Sequence, residues 1–273
     1  MSNNQTWTNI IKPKRTFFSI DLKELYSYKD LLVIFVKRDF ISVYKQTILG
    51  PIWFIIQPLL TTLMFTVVFT KIAGISTDGI PHILFYLSGL TFWNYFAESL
   101  NKTSNTFLEN QEIFGKVYFP RLISPLSIVV SNLLKFGIQF ALFFGFFLYY
   151  YFVAKAPISI NMHVLLFPYL IILTGLLGLG FGLLITSMTT KYRDLRFLVQ
   201  FGVQLWMYAT PVIYPLSTLE GRLKELALLN PMTSIIETFK YGFLGSGTFS
   251  WNALIYSSIF TLVLLIISVF ILI

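Results

Sequence analysis

The chain has 273 residues, of which 56% are hydrophobic and only 12% are charged, and its mean hydropathy is +0.73. Soluble domains average about 45–50% apolar and about 25% charged residues, so this composition excludes an ordinary soluble domain. The net charge of +8 is interpreted as a membrane topology signal rather than as a nucleic-acid surface, because basic residues flank membrane spans on the cytoplasmic side. The absence of cysteine excludes disulfides, iron–sulfur clusters and thiolate zinc sites, and with two histidines no metal site is predicted.

Residues 1–50 are predicted to form a cytoplasmic N-terminal segment that contains an amphipathic interface helix. Between residues 21 and 46, apolar side chains recur every three to four positions, and polar side chains fall largely on other faces. Such a helix, placed just before a span, is expected to lie along the cytoplasmic membrane surface. It is either a simple anchor or a platform on which a cytoplasmic partner pushes. Gly50–Pro51 is expected to end it in a sharp turn.

A single all-α transmembrane domain is predicted for residues 51–273. About 20 apolar helical residues are needed to cross a bilayer core of roughly 30 Å. Six segments have this character, at about 51–71, 82–101, 122–153, 164–190, 197–214 and 251–273. Polar residues interrupt the second segment, the fifth is short, and Gln57–Pro58 is expected to kink the first unless its neighbours compensate.

The distribution of basic residues assigns the two sides of the membrane. If the N-terminus lies inside, the segments 1–50, 102–121 and 191–196 contain 14 of the 20 basic residues, and the external segments contain 5. This bias follows the positive-inside rule. We therefore expect a multi-pass protein of the bacterial cytoplasmic membrane with both termini in the cytoplasm.

The longest polar stretch between spans lies at residues 107–121. Its polar residues are expected to form a short cytoplasmic helix, closed by Phe119–Pro120; they are Glu109, Gln111, Glu112 and Lys116. Aromatic and aliphatic side chains accompany these charges, and such a mixture suits docking to another protein. A solvated connector is the alternative.

Residues 215–250 predict two short helices on the external side. Ser217 and Glu220 have the spacing of a capping box, so the first helix is expected to run from Ser217 to about residue 229. Asn230 as N-cap and Pro231 at the first helical position predict a second helix, which ends near Gly245. Each helix has about a dozen residues and a length of roughly 18 Å, so neither crosses the membrane alone. A re-entrant hairpin is favoured, and a hairpin lying on the outer leaflet is the alternative.

Three charged positions within or near the membrane require explanation. The sequence favours a structural ion pair between Glu98 and Lys102, which are four residues apart. Lys135 lies inside the third span, and both snorkelling and a position facing a translocation path remain open for it. Glu237 and Lys240 are expected to pair within the second external helix.

Glycines in the fourth span are interpreted as packing residues rather than as a nucleotide fingerprint. No strand precedes them, and Gly178-x-x-x-Gly182 permits close approach of another helix. No Walker A pattern occurs in the chain, so any ATP that drives this protein must bind to another subunit.

Aromatic residues make up 18% of the chain, and most are interpreted as interfacial belts or lipid-facing bulk. Aromatic rings also pack on sugar rings through their apolar faces. Several lie in or next to spans one, two and five, where they would suit the wall of a path for a carbohydrate chain: Trp53, Phe54, Tyr95, Phe201, Trp206, Tyr208 and Tyr214.

Several motifs resemble one known family. They are Arg38-Asp39 with Tyr44-Lys45-Gln46-Thr47-x-Leu49-Gly50, Trp53 and Gln57-Pro58; Gly115-Lys116-Val117-Tyr118-Phe119-Pro120-Arg121 with Pro125; Lys191-Tyr192-Arg193-Asp194-Leu195; Tyr208-x-Thr210-Pro211-Val212-Ile213-Tyr214; and Leu229-Asn230-Pro231-Met232. Together they resemble the membrane subunit of ABC-2-type exporters, and most closely the branch that exports O-antigen, capsule and teichoic acid. The resemblance covers roughly residues 30–273.

The resemblance implies a homodimeric channel with two separate ATPase subunits, which would hold ATP and Mg²⁺; the chain itself would hold no cofactor and perform no bond chemistry. The substrate would be a glycan on a lipid carrier, usually undecaprenyl diphosphate. Contacts with the ATPase subunits would come from Lys37, Arg38, Asp39, Glu109, Gln111, Glu112 and Lys116. The external gate would include Asn230, Pro231, Glu237 and Lys240. The family usually has a charged tail after the last span, so the natural chain is expected to extend beyond Ile273.

Other functions were weighed against this one. An ABC-2 exporter of teichoic acid, capsule, a drug or a small lipid would share most of these features, and a non-transporting assembly factor is a further alternative. A polyprenyl-linked glycosyltransferase or acyltransferase would need clustered carboxylates or a catalytic histidine at the membrane face. Asp78 is isolated in the sequence, and neither His82 nor His163 has an evident acidic partner, which argues against an enzyme.

Overall fold

A computed structural model describes residues 22–45, 50–189, 192 and 194–272, and these residues are helical or lie in loops and turns, with no strand among them. The helices are α1 (Leu22–Ser27), α2 (Lys29–Tyr44), α3 (Trp53–Phe65), α4 (His82–Ser104), α5 (Thr106–Glu109), α6 (Gln111–Lys116), α7 (Ile123–Leu148), α8 (Phe167–Thr189), α9 (Leu195–Tyr208), α10 (Gly221–Leu229), α11 (Pro231–Leu244) and α12 (Trp251–Leu272). The predicted all-α fold is confirmed. Residues 1–21, 46–49, 190–191, 193 and 273, which fall in predicted terminal and loop segments, lie outside the described residues.

Among the described residues, four helices are long and apolar enough to cross a membrane: Trp53–Ile72, Ile123–Val153, Met162–Thr189 and Trp251–Leu272. They correspond to predicted spans one, three, four and six. The first two extend α3 and α7 by π-helical turns, and the third includes a 3₁₀ turn before α8. Helix α4 has 23 residues but contains polar and charged side chains, whereas α9 has only 14 residues.

Helix α4 is the central element of the fold and is buried along most of its length. Helix α8 approaches it closely through the two glycines that the sequence identified as packing residues. A Cβ atom on Gly178 would lie 2.9 Å from Ser99 Cβ, and one on Gly182 would collide with Thr103. The predicted close helix contact is therefore confirmed.

This contact gives a first testable prediction. We expect Gly182→Leu to force α8 away from α4 and to lower the free energy of unfolding by about 1–3 kcal/mol, because overpacked interfaces cannot relax fully. Thermal denaturation of the purified protein measures the effect. Gly145→Leu is the matched control, since Gly145 lies in α7 with nothing within 4 Å of its Cβ position. Equal stability of the two variants would contradict this packing.

The predicted interface helix is present but divided. The helical turn of α1 ends at Ser27, and α2 starts after Tyr28, whose backbone leaves the helical region. Gly50, with φ of +52°, turns the chain towards α3, as the Gly–Pro pair predicted. Helix α3 continues through Pro58, the position at which the sequence predicts a kink unless neighbouring groups compensate.

Helices α10 and α11 confirm one predicted boundary and correct another. Met232 N–H donates to Asn230 Oδ1 at 3.1 Å, Pro231 occupies the first turn of α11, and Gly245 ends the helix with φ of +71°. The capping box is wrong: Ser217 lies in a 3₁₀ turn, and its hydroxyl donates to Asp78 Oδ2 at 2.7 Å. Helix α10 consequently begins only at Gly221.

Candidate coupling surface and transport path

Two segments of the chain, α2 and residues 105–121, pack together as one body. The ring of Phe35 in α2 meets Phe119 edge-on, with centroids 5.7 Å apart, and Phe119 stacks on Phe114 at 5.0 Å. Together with Ile123 these residues form a small hydrophobic cluster of their own. We call α2 and residues 105–121 the coupling unit, because the cluster joins them.

A polar contact reinforces the coupling unit. The Arg38 guanidinium donates to Asn110 Oδ1 at 3.1 Å and to Asp39 Oδ1 at 2.8 Å, and it lies 4.6 Å from the centroid of the Phe35 ring. The amide of Asn110 in turn donates to Thr106 O at 2.9 Å. Arg38 therefore ties α2 to the α5–α6 junction, which sequence spacing could not indicate.

The remaining residues predicted to contact an ATPase lie on the outer face of the coupling unit. Lys37, Glu109, Gln111, Glu112 and Lys116 are all exposed. Partial desolvation raises the pKa of the Glu109 carboxyl above its ordinary value, although the nearby Lys102 ammonium opposes the shift. This mixed-charge face is available to a partner protein.

The aromatic residues proposed for the transport path occupy different environments. Trp53 in α3 and both Phe201 and Tyr208 in α9 are exposed. Phe54, Trp206 and Tyr214 are partly buried, and Trp206 contacts the rings of Phe96 and Phe181. Tyr95 is largely buried in the core beside Phe136.

Helices α3 and α9 are the least covered apolar elements of the chain. Among their described side chains, only Pro58 and Thr62 of α3 and Val203 of α9 are buried. Their remaining faces are free to contact lipid or a second copy. The path role of the aromatic residues on these helices remains a prediction.

The predicted ion pair between Glu98 and Lys102 is present and belongs to a larger charged cluster. Glu98 and Lys102 are 3.8 Å apart, but the closer partner of Glu98 is Lys135 of α7, whose side chain is only 7% exposed. Lys135 Nζ also lies 5.5 Å from the centroid of the Phe54 ring. Lys135 is therefore not isolated in its span. Sequence spacing missed this pair because its members lie on different helices.

Glu237 and Lys240 of α11 are both 1% exposed. Their opposite charges attract each other, as predicted, but each head group forms its hydrogen bonds with another partner. Lys240 Nζ donates to Pro211 O at 2.7 Å and lies 3.6 Å from the centroid of the Phe85 ring. Glu237 Oε2 instead accepts from the backbone N–H of Thr248 at 2.9 Å. Each head group therefore has a hydrogen-bond partner outside α11.

A second contact joins α11 to the exit of α9. Asn230 Nδ2 donates to Thr210 Oγ1 at 2.8 Å, next to the Pro211 carbonyl that Lys240 holds. Pro231 is buried at the start of α11. The motif at 208–214 and the motif at 229–232 thus contact each other, and Asn230 and Lys240, two of the residues predicted for an external gate, hydrogen-bond at this junction.

The helical fold, the apolar spans and the exposed coupling unit define a multi-pass membrane protein with a mixed-charge surface outside its apolar spans. The sequence matches the ABC-2 type transporter family over residues 30–244. The chain therefore belongs to this family, and the resemblance drawn from its motifs is confirmed.

Individual relatives agree with this assignment. An O-antigen export system permease protein RfbA from Myxococcus xanthus is 29% identical over 221 residues, which cover 80% of this chain and 82% of the relative. Two proteins of the same name from Klebsiella pneumoniae are 26% and 25% identical, over 86% and 88% of this chain and 88% and 91% of the relatives.

Proposed function

We propose that this chain is the channel-forming subunit of an ATP-driven exporter that moves a lipid-linked, O-antigen-like polysaccharide across the bacterial cytoplasmic membrane. The observation that carries the proposal is the similarity to three O-antigen export permeases over at least 80% of the chain. Undecaprenyl diphosphate is the proposed carrier. ATP and Mg²⁺ are proposed to bind two separate ATPase subunits.

The proposed architecture has six spans, both termini in the cytoplasm, and two copies of the chain around the path. Helices α4 and α9 are assigned as spans two and five, because they lie between apolar spans and must connect their ends. The uncovered faces of α3 and α9 favour a contact between the two copies or a path between them. Helices α10 and α11 are assigned to a re-entrant hairpin at the external exit.

In the proposed mechanism, the ATPase subunits act on the outer face of the coupling unit. Because Phe35, Phe119 and Arg38 lock α2 to residues 105–121, a push on either segment moves both. Helix α3 follows α2 in the chain and α7 follows residue 121, so the motion reaches spans one and three directly. The external junction around Lys240 is expected to stay rigid while the path opens.

Deletion of the gene tests the proposed function. The expected result is accumulation of finished, lipid-linked polymer on the cytoplasmic face of the membrane, since synthesis continues without export. Analysis of the lipid-linked glycans measures the accumulated polymer, and analysis of the surface polysaccharide measures export. Loss of synthesis without accumulation would exclude the exporter, and accumulation of teichoic acid or capsule polymer would assign the chain to those related exporters.

The aromatic path can be tested separately. Trp53→Ala and Tyr208→Ala are expected to lower polysaccharide export several-fold while assembly with the ATPase subunits is unchanged, because both side chains are exposed on the proposed path. Surface polysaccharide is measured beside co-purification of the ATPase. Tyr149→Ala, at an exposed position on the π-helical extension of α7, is the control. Unchanged export in both path variants would remove these residues from the path.

A further inference from the structure

A small cavity lies beside α11, the loop that follows this helix, and the start of α12. Its volume is about 20 Å³, which is enough for one water molecule or for one ion without its water shell. The polar part of its lining comes from α11 and from the loop: Thr233, Ser234, Glu237, Thr238, Thr248 and Ser250. The cavity is therefore bordered by one carboxylate and several hydroxyl groups.

The sequence places four of these polar side chains on one face of α11. Thr233, Ser234, Glu237 and Thr238 follow the spacing i, i+1, i+4 and i+5, which keeps them together in a helix with 3.6 residues per turn. All four are buried, although burial of polar groups is unfavourable unless they have partners. This face of α11 thus requires polar partners inside the protein.

The carboxylate of Glu237 has a partner for only one of its two oxygens. Oε2 accepts from the backbone N–H of Thr248 at 2.9 Å and from the Thr248 hydroxyl at 3.3 Å. Oε1 is buried and has no partner within the described part of the chain, and the whole residue is only 1% exposed. A buried charged acceptor without a partner is strongly unfavourable. Because Glu237 borders the cavity, an occupant of the cavity supplies the missing partner.

The hydroxyl groups around the cavity use their protons elsewhere. Thr233 Oγ1 donates to Ala227 O at 2.5 Å, and Thr248 Oγ1 donates to Glu237 Oε2. A hydroxyl group has a single proton to donate, so these oxygens present only lone pairs in other directions. A lining of acceptors favours an occupant that carries positive charge.

The charges near Glu237 also favour a cation. The Lys240 ammonium attracts the Glu237 carboxylate, whereas the Asp78 carboxylate repels it. Lys240 donates its hydrogen bond to the Pro211 carbonyl rather than to Glu237. Two carboxylates and one ammonium leave a net charge of −1, which one monovalent cation neutralises.

The donor set does not suit a zinc-type or magnesium site. Within the described ranges, no group of three or more His, Cys, Asp and Glu side chains could hold a metal ion. Zinc prefers nitrogen and sulfur ligands, and Mg²⁺ usually keeps several waters, for which a cavity of this size has no room. One carboxylate with neutral oxygen atoms suits a hard monovalent ion better.

We propose that this cavity binds a small monovalent cation such as Na⁺, held by Glu237 Oε1 and by hydroxyl oxygens of α11 and of the loop. Thr248 and Ser250 are exposed, so the ion enters from the surface between them. The bound ion fastens the loop to α11 just before α12 begins. This ion site goes beyond the proposed export function and does not depend on the identity of the substrate.

Equilibrium binding of radiolabelled sodium tests the proposal. The transporter, assembled with its ATPase subunits, is placed in neutral phosphatidylcholine nanodiscs, and saturable binding of one ion per copy of this chain is expected. Glu237→Gln is expected to weaken binding at least tenfold, because the charged ligand is lost. Glu225→Gln, at an exposed position of α10, removes the same charge outside the cavity and should bind like the parent.

Thermal denaturation separates ion binding from a purely structural role of Glu237. At equal ionic strength, the unfolding midpoint of the parent is expected to be about 3 °C higher in sodium chloride than in choline chloride, once sodium reaches roughly ten times its dissociation constant. Glu237→Gln is expected to abolish this difference. Equal midpoints of the parent in the two salts would overturn the proposal, as would a sodium effect that persists in Glu237→Gln.

Further outcomes decide the nature of the occupant. If the parent shows no saturable sodium binding, the cavity holds only water and the proposal fails. Displacement of sodium by potassium supports a monovalent site, whereas displacement by a lower concentration of Ca²⁺ overturns it.

A second variant keeps the test valid if Glu237→Gln does not fold. Thr238→Val keeps the side-chain shape but removes one lining oxygen, so sodium binding is expected to weaken several-fold. Unchanged binding in this variant would contradict the site. The assay contains no glycan, so its failure is distinguishable from failure of the proposed function.

Discussion

Replacing Lys240 by methionine is expected to destabilise the junction between α9 and α11 by about 1–3 kcal/mol, because it leaves the buried Pro211 carbonyl without its side-chain donor. Lys240 Nζ donates to the Pro211 carbonyl, and its charge lies over the Phe85 ring. Methionine keeps most of the apolar contact but leaves the carbonyl without its donor. It also leaves the buried Glu237 carboxylate without a nearby cation. Thermal denaturation and the yield of monodisperse protein measure the loss.

Two further variants show whether charge is the cause. Glu237→Gln combined with Lys240→Met removes both buried charges, so the double variant is expected to recover part of the stability that Lys240→Met loses. Lys224→Met in α10 is the matched control, because Lys224 is only partly buried and should tolerate the change. If the double variant loses more stability than the sum of the losses in Glu237→Gln and Lys240→Met, electrostatic compensation is contradicted.

The features that the sequence predicted correctly depend on neighbouring residues or on one helix period. Asn230, Pro231 and Gly245 define α11 because an N-cap, a first-turn proline and a left-handed end residue act locally. Gly178 and Gly182 predicted a close helix contact because their spacing places them on one helix face. The apolar spans follow from length and hydropathy, which need no knowledge of the tertiary fold.

The predictions that failed depend on contacts between distant segments. Ser217 has the correct spacing for a capping box, but Asp78, which is 139 positions away, accepts its hydroxyl hydrogen bond. In the same way, the hydrogen-bond partner of Lys240 is the Pro211 carbonyl. Lys135, for which the sequence indicated no partner, joins the correctly predicted Glu98–Lys102 pair from another helix. A local sequence pattern indicates which hydrogen bonds and ion pairs a side chain is able to form. Which partner lies beside that side chain depends on the tertiary fold.

Reversible cross-linking is expected to show that the coupling unit moves as one body against span one. The chain has no cysteine, so a pair of introduced cysteines reacts without background. Phe35→Cys with Phe119→Cys joins the two parts of the coupling unit, whose rings are 5.7 Å apart. A short, reducible thiol cross-linker at this pair is expected to leave ATP-driven polysaccharide export intact, since these segments keep their mutual position.

The contrasting pair of cysteines joins α2 to α3, between which the proposed mechanism requires relative motion. Phe40 in α2 stacks on Phe54 in α3 with ring centroids 6.1 Å apart, so Phe40→Cys with Phe54→Cys allows the same cross-linker to join α2 to span one. Export is expected to stop on cross-linking and to recover on reduction, because α2 must move relative to α3 to transmit the ATPase motion. The reduced form of each variant controls for the lost phenylalanine packing. If the Phe35–Phe119 link instead stops export, α2 and residues 105–121 move separately. A cross-link within a single rigid body would not restrict its motion.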